Sequence, residues 1–129
     1  MSYKIMIVDD AFFMRLMLKR IVEQKAGWEV VGEATNGLEA LEKYKELKDA
    51  GKKPDIITMD ITMPQMDGLE ALAEFQKLDA SVPIVMCSSL AAQKIVIQAI
   101  RAGASDFIIK PFEDEELVIN TIKKVLGEN

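Results

Sequence analysis

The sequence predicts an α/β fold: one five-stranded parallel sheet, doubly wound by five helices into three layers. Short apolar runs alternate with helical hydrophobic periods along the whole chain. The runs are close to continuously apolar, as strands covered on both faces must be. No repeat, linker or low-complexity segment interrupts the alternation, and 129 residues suit one domain, 1–129, rather than two.

Each element follows from local chemistry. Tyr3 to Val8 reads as the first strand, and Met14, Met17, Leu18, Ile21 and Val22 then fall at the i, i+3, i+4, i+7, i+8 spacing of a helix that Gly27 ends. Trp28 to Ala34 is the second strand, Asn36-Gly37 a turn, and Leu38 to Leu47 a helix expected to turn Leu38, Leu41 and Tyr44 inward. Asp55 to Asp60 gives the third strand and Gly68 to Leu78 the third helix. Pro83 launches a fourth strand, Ile84 to Ser88, and a helix from about Gln93 to Ala102 closes at Gly103. Phe107 to Ile109 is the fifth strand. Lys110-Pro111 then breaks the chain before a last helix, about Glu115 to Leu126, whose acidic start and late Lys123-Lys124 complement the helix dipole.

Composition narrows the function. Twenty-one acidic against 16 basic residues give a net charge of -5, which argues against nucleic acid or an anionic membrane as partner. The lone Cys87 can form no internal disulfide and suits a reducing compartment. There is no signal-peptide pattern and no apolar run of membrane-spanning length, so no membrane insertion and a cytoplasmic location are expected. The chain has no histidine, the usual general base and the commonest transition-metal ligand. Acid–base or metal chemistry must therefore use carboxylates, lysine, hydroxyls and water.

Doubly wound sheets bind ligands beyond the carboxyl ends of their strands. At those ends stand Asp9 and Asp10, Asp60, Ser88 and Ser89, and Lys110. A single aspartate there is ordinarily a turn or cap residue. Three of them ending two buried strands repel one another unless a cation neutralises them. All-oxygen donors select a hard ion, and Mg2+ fits best. Lys110, emerging from a buried strand and followed by proline, either pairs with Asp60 or helps to cradle a phosphoryl group. An ammonium, a hydroxyl and a divalent cation around one carboxylate meet the electrostatic demand of phosphoryl transfer to aspartate.

The strand-end Asp9-Asp10, the block MDITMPQMDG around Asp60, the run VMCSS and Lys110-Pro111-Phe112 together resemble the receiver domain of two-component response regulators, over essentially the whole chain. The resemblance implies that Asp60 accepts a phosphoryl group from the phosphohistidine of a sensor histidine kinase. It implies that Asp10, Asp60 and the backbone carbonyl of Thr62 hold Mg2+, with Asp9 acting largely through water. Ser88 and Lys110 would each meet a phosphoryl oxygen. Phe107 would be the aromatic switch residue, although a core phenylalanine explains it equally well, and without a hydroxyl it would act through packing. Thr62 and Leu90 stand where the family tunes the lifetime of the acyl phosphate, and an apolar Leu90 is expected to slow hydrolysis.

No DNA-binding domain is expected with this receiver, so output is expected by docking, as in the stand-alone chemotaxis regulators, to a motor switch protein or an adaptor. A dedicated phosphatase is a further possible partner. Three rivals deserve weighing. A haloacid dehalogenase-like phosphatase would need a second aspartate where Thr62 stands. A cofactor binder on the same flavodoxin-like three-layer sandwich would need a hydroxyl- and glycine-rich loop where Asp9-Asp10-Ala11-Phe12-Phe13 stands. A stand-alone receiver in a phosphorelay or another non-motility output fits the same residues.

Overall fold

The structure, a computed structural model, describes residues 2–89 and 93–128. Its elements run β1 (Tyr3–Val8), α1 (Phe12–Glu23), β2 (Trp28–Ala34), α2 (Gly37–Asp49), β3 (Ile56–Asp60), α3 (Gly68–Leu78), β4 (Ile84–Ser88), α4 (Gln93–Arg101), β5 (Asp106–Ile109) and α5 (Glu115–Leu126). All strand pairs are parallel and the sheet order is β2-β1-β3-β4-β5. The chain moves outward from β1 to β2, then returns to place β3 on the other side of β1. The loops after β1 and β3 therefore diverge there and leave a crevice at the carboxyl edge.

Alternation along the buried strands divides the core in two. Met6, Val8, Ile57, Met59 and Met86 pack with Ala40 and Tyr44 of α2, Leu72 and Phe75 of α3 and Ala99 of α4. Ile5, Ile7, Ile56, Val85 and Cys87 pack on the opposite face with Leu18 and Val22 of α1 and Val118 and Ile122 of α5. Tyr44 meets Phe75 edge-on, with ring centroids 5.4 Å apart. The Tyr44 hydroxyl donates to the Asp79 carboxylate, which also accepts from Ser81 and pairs with Lys53.

Helix starts use the expected chemistry. Asn36 accepts from the Glu39 N–H at 2.9 Å, Asp67 and Glu70 form a reciprocal capping box, and Asp114 accepts from the Leu117 N–H.

Two expectations need correction. Leu38 does not turn inward: it is 48% exposed, while Gly37, Ala40, Tyr44 and Leu47 form the buried stripe of α2. At 100° per residue Leu38 lies nearly opposite Ala40, and the close seat of Gly37 against Met66 and Ala71 sets that rotation. Asp55 is not part of the third strand. It forms the bend before Ile56, where its N–H donates to the Lys4 carbonyl and its carboxylate accepts from the Lys4 N–H, both at 2.7 Å.

Candidate functional site

Four strands deliver the polar residues to one edge. Asp60 is the last residue of β3 and Ser88 the last of β4, while Asp9 and Lys110 directly follow β1 and β5. Asp9, Asp60 and Ser88 are buried, at 4%, 6% and 2% exposure, whereas Asp10 is exposed. One carboxylate oxygen from each of Asp9, Asp10 and Asp60 lies within 4.8 Å of the other two.

Lys110 crosses the edge to meet two of them. Its Nζ lies 2.8 Å from Asp9 Oδ2 and 3.4 Å from Asp60 Oδ2, on a side chain only 12% exposed. Its backbone N–H donates to the Ser88 carbonyl at 2.9 Å, which sets the reach of the side chain. The sequence offered Asp60 as the partner for Lys110, and the shorter bond is in fact to Asp9. Burial disfavours the Lys110 ammonium, but Asp9 and Asp60 outweigh it and the net shift is upward.

Asp60 is the perturbed group. Burial, followed by the charge of Asp9, pushes its carboxyl up from 3.8 to about 6; Lys110 opposes the rise and Asp10 adds slightly to it. Three carboxylates against one ammonium leave two negative charges in a half-enclosed site. That charge, with oxygen donors only, fits one Mg2+, which takes a few carboxylates and keeps waters and phosphate oxygens. Cys87 pairs with Asp60 in the sheet, and burial pushes its thiol up to about 12, which makes it a core thiol and a poor nucleophile.

The remaining expected residues lie around this cluster. Thr62 is exposed in the β3–α3 loop, two residues beyond Asp60. Phe107 is half-buried and packs against the core on the α2–α4 face. Leu90 lies outside the described residues.

Contacts between distant elements add residues that motif reading did not find. A Cβ on Gly68 would sit 2.2 Å from the Asp60 carbonyl oxygen and 2.8 Å from Ile61 Cα, so only glycine lets α3 begin against the end of β3. The Gly68 N–H donates to the Ile61 carbonyl at 2.7 Å and the Gly37 N–H to the Met66 carbonyl at 3.0 Å, and together they pin the loop that carries Thr62. Arg15 of α1 donates from Nη1 to the Asp9 carbonyl at 2.8 Å and from Nε to Glu33 at 3.2 Å. The glycine was visible inside the quoted MDG, although its contact was not. Arg15 and Glu33 carry no local signal.

An all-oxygen acidic cluster bridged by lysine, at the switch point of a doubly wound sheet, defines the class as a receiver-type α/β domain. The description "Response regulator receiver domain" matches residues 5–122, and the chain belongs to that family. It is 55% identical over 126 residues to the chemotaxis protein CheY of Thermotoga maritima, covering 96% of this chain and 100% of the relative. It is 53% identical over 127 residues to CheY of Bacillus subtilis, covering 98% and 100%. Among solved structures, the response regulator domain of Thermotoga maritima CheB superimposes with a TM-score of 0.88 at 38% identity, covering 100% of this chain and 99% of that one. A CheX-CheY-BeF3-Mg2+ complex from Borrelia burgdorferi gives 0.88 at 33% identity, covering 95% and 88%. These relatives support a chemotaxis response regulator, and the acidic cluster suits the Mg2+ that receivers bind. Among the described residues, no helix is long and apolar enough to cross a membrane.

Proposed function

We propose that this chain is the phosphorylation-activated regulator of a chemotaxis system, with Asp60 as the phospho-acceptor. The observation that supports this most is the setting of Asp60: a buried carboxylate between a second buried carboxylate and a lysine 3.4 Å away. In the transfer, an Asp60 carboxylate oxygen attacks the phosphorus of a kinase phosphohistidine. The P–N bond breaks, a P–O bond forms, and the imidazole leaves with the electron pair.

Asp9, Asp10, Asp60 and the Thr62 carbonyl would hold Mg2+, which supplies charge neutralisation for the phosphoryl oxygens when bound. Lys110 meets a second phosphoryl oxygen by exchanging its bond to Asp60 for one to the phosphoryl group, while Asp9 keeps it at the site. Ser88, at the end of β4, donates its hydroxyl to a third. Phe107 then repacks on the α2–α4 side and carries the change to a docking face. Leu90 and Thr62 set how readily water reaches the acyl phosphate. The partners are a sensor histidine kinase, a motor switch protein or adaptor, and a phosphatase; the Borrelia neighbour in complex with CheX supports a partner of that kind. The only chemistry proposed for the domain is its own phosphorylation and the slow hydrolysis of the resulting acyl phosphate.

Intact mass after incubation with acetyl phosphate tests this, with and without Mg2+, for the wild type and Asp60→Asn. A gain of one phosphoryl group that needs Mg2+ and is lost in the variant is expected. No adduct, or an adduct that persists in Asp60→Asn, overturns the assignment.

A further inference from the structure

Side chains of consecutive residues in an extended strand point to opposite faces. Asp9 and Asp10 follow β1 directly, yet their carboxylates lie within 4.8 Å of each other and of Asp60. The backbone must turn between them, so the peptide bond joining them decides whether Asp10 faces the site. Its carbonyl belongs to Asp9, and Arg15 holds that oxygen at 2.8 Å.

Arg15 is itself held from two other sides. Its Nε donates to Glu33 on β2 at 3.2 Å, and its guanidinium stands 5.7 Å from the centroid of the Phe12 ring. The side chain is only 13% exposed, unusual for arginine. The rest of Asp9 is fixed as well: its N–H donates to the Ala34 carbonyl, its Oδ1 accepts from the Ala11 N–H, and its Oδ2 accepts from Lys110. Asp9 is therefore an anchored residue. The orientation of Asp10, with its exposed side chain, is set by the peptides on either side of it: Asp9 Oδ1 holds the one after it at the Ala11 N–H, and Arg15 holds the one before it at the Asp9 carbonyl. The planar guanidinium fork can address a carbonyl and a carboxylate in one fixed geometry, which an ammonium cannot do.

We infer that Arg15 is a positioning residue for the Mg2+ site, tying the Asp9–Asp10 peptide to Glu33 of β2 so that Asp10 faces Asp60. The inference rests on the proposed Mg2+ reading, and the test separates the two. Mg2+ binding is measured by calorimetry on the whole protein, under conditions where urea titration shows each variant fully folded. Saturable binding by the wild type that is lost in Asp10→Asn establishes the site. Arg15→Ala should then raise the Mg2+ Kd about tenfold or more, as loss of partners that orient metal ligands does. Arg15→Lys should recover little, Glu33→Ala should weaken binding less than Arg15→Ala, and Glu33→Gln should retain most of the affinity. Amide exchange at Asp10 and Ala11 should quicken in Arg15→Ala, an effect that a general loss of stability would spread over the sheet.

A folded Arg15→Ala protein with wild-type Mg2+ affinity overturns the inference and leaves the metal site intact. Should Arg15→Ala fail to fold, Glu33→Ala decides in the same way: weakened Mg2+ binding supports the tie, and unchanged affinity overturns it. Absence of saturable binding in the wild type overturns both.

Discussion

Replacing Asp60 with asparagine should make the metal-free protein more stable, although it removes the residue on which function depends. Asp60 is 6% exposed, and burial and Asp9 hold its carboxyl at about 6 instead of 3.8. Ionising it in the fold therefore costs about 3 kcal/mol at neutral pH. An acid whose folded pKa is raised favours folding in its protonated form. The cost is absent below about pH 4, grows as pH rises to about 6, and is complete above that. Asparagine mimics the protonated state and can still accept from Lys110, so the gain should be about 1–3 kcal/mol after that weaker bond is discounted. Urea unfolding in EDTA at neutral pH should show this gain, and at about pH 4 the two proteins should unfold together. With Mg2+ added, the order should narrow or reverse, because the wild type gains more binding energy. Equal or lower stability of Asp60→Asn in EDTA at neutral pH would refute the electrostatic account, as would a gain that persists unchanged at pH 4.

Three further outcomes follow from the same structure. Lys110→Ala leaves two buried carboxylates facing each other and should destabilise the metal-free protein by about 2–4 kcal/mol at neutral pH, and by less once acid protonates Asp60 or Mg2+ is present; urea unfolding under the three conditions reads this. Gly68→Ala drives a Cβ into the backbone at the Asp60 carbonyl, so it should cost about 1–3 kcal/mol and slow phosphoryl uptake from acetyl phosphate in the fraction that still folds. Tyr44→Phe removes a donor to Asp79 from the far side of the molecule and should cost about 1–2 kcal/mol. Ser81 and Tyr44 hold the Asp79 carboxyl well below the usual carboxylate range, so the stability it contributes is present above about pH 4 and lost in stronger acid. A Tyr44→Phe protein that unfolds like the wild type at neutral pH would contradict that network.

Much of the site was legible because it obeys a rule of topology. Once β1, β3, β4 and β5 were read from their apolar runs, the residues ending them had to share an edge, and the structure brings Asp9, Asp10, Asp60 and Lys110 together there. β1, β2 and β4 have the bounds that hydrophobic pattern gave. What escaped depends on how elements rotate and touch. Leu38 is apolar and one residue past a turn, but the seat of Gly37 against Met66 turns it to solvent. Lys110 bonds Asp9 more closely than Asp60, which only the spacing of strands across the sheet decides. Arg15 and Glu33 lie 18 positions apart on different elements, so neither spacing nor composition links them. An arginine at the end of the first turn of an amphipathic helix reads as a solvated charge until the fold buries it.

The most direct test of the central claim is to locate the phosphoryl group. After loading with acetyl phosphate and Mg2+, borohydride reduction converts an aspartyl phosphate to homoserine, and peptide mapping finds the altered position. Homoserine at position 60 and nowhere else is the expected result. Conversion at Asp9 or Asp10 instead, or none in a protein that gained phosphoryl mass, would contradict the account.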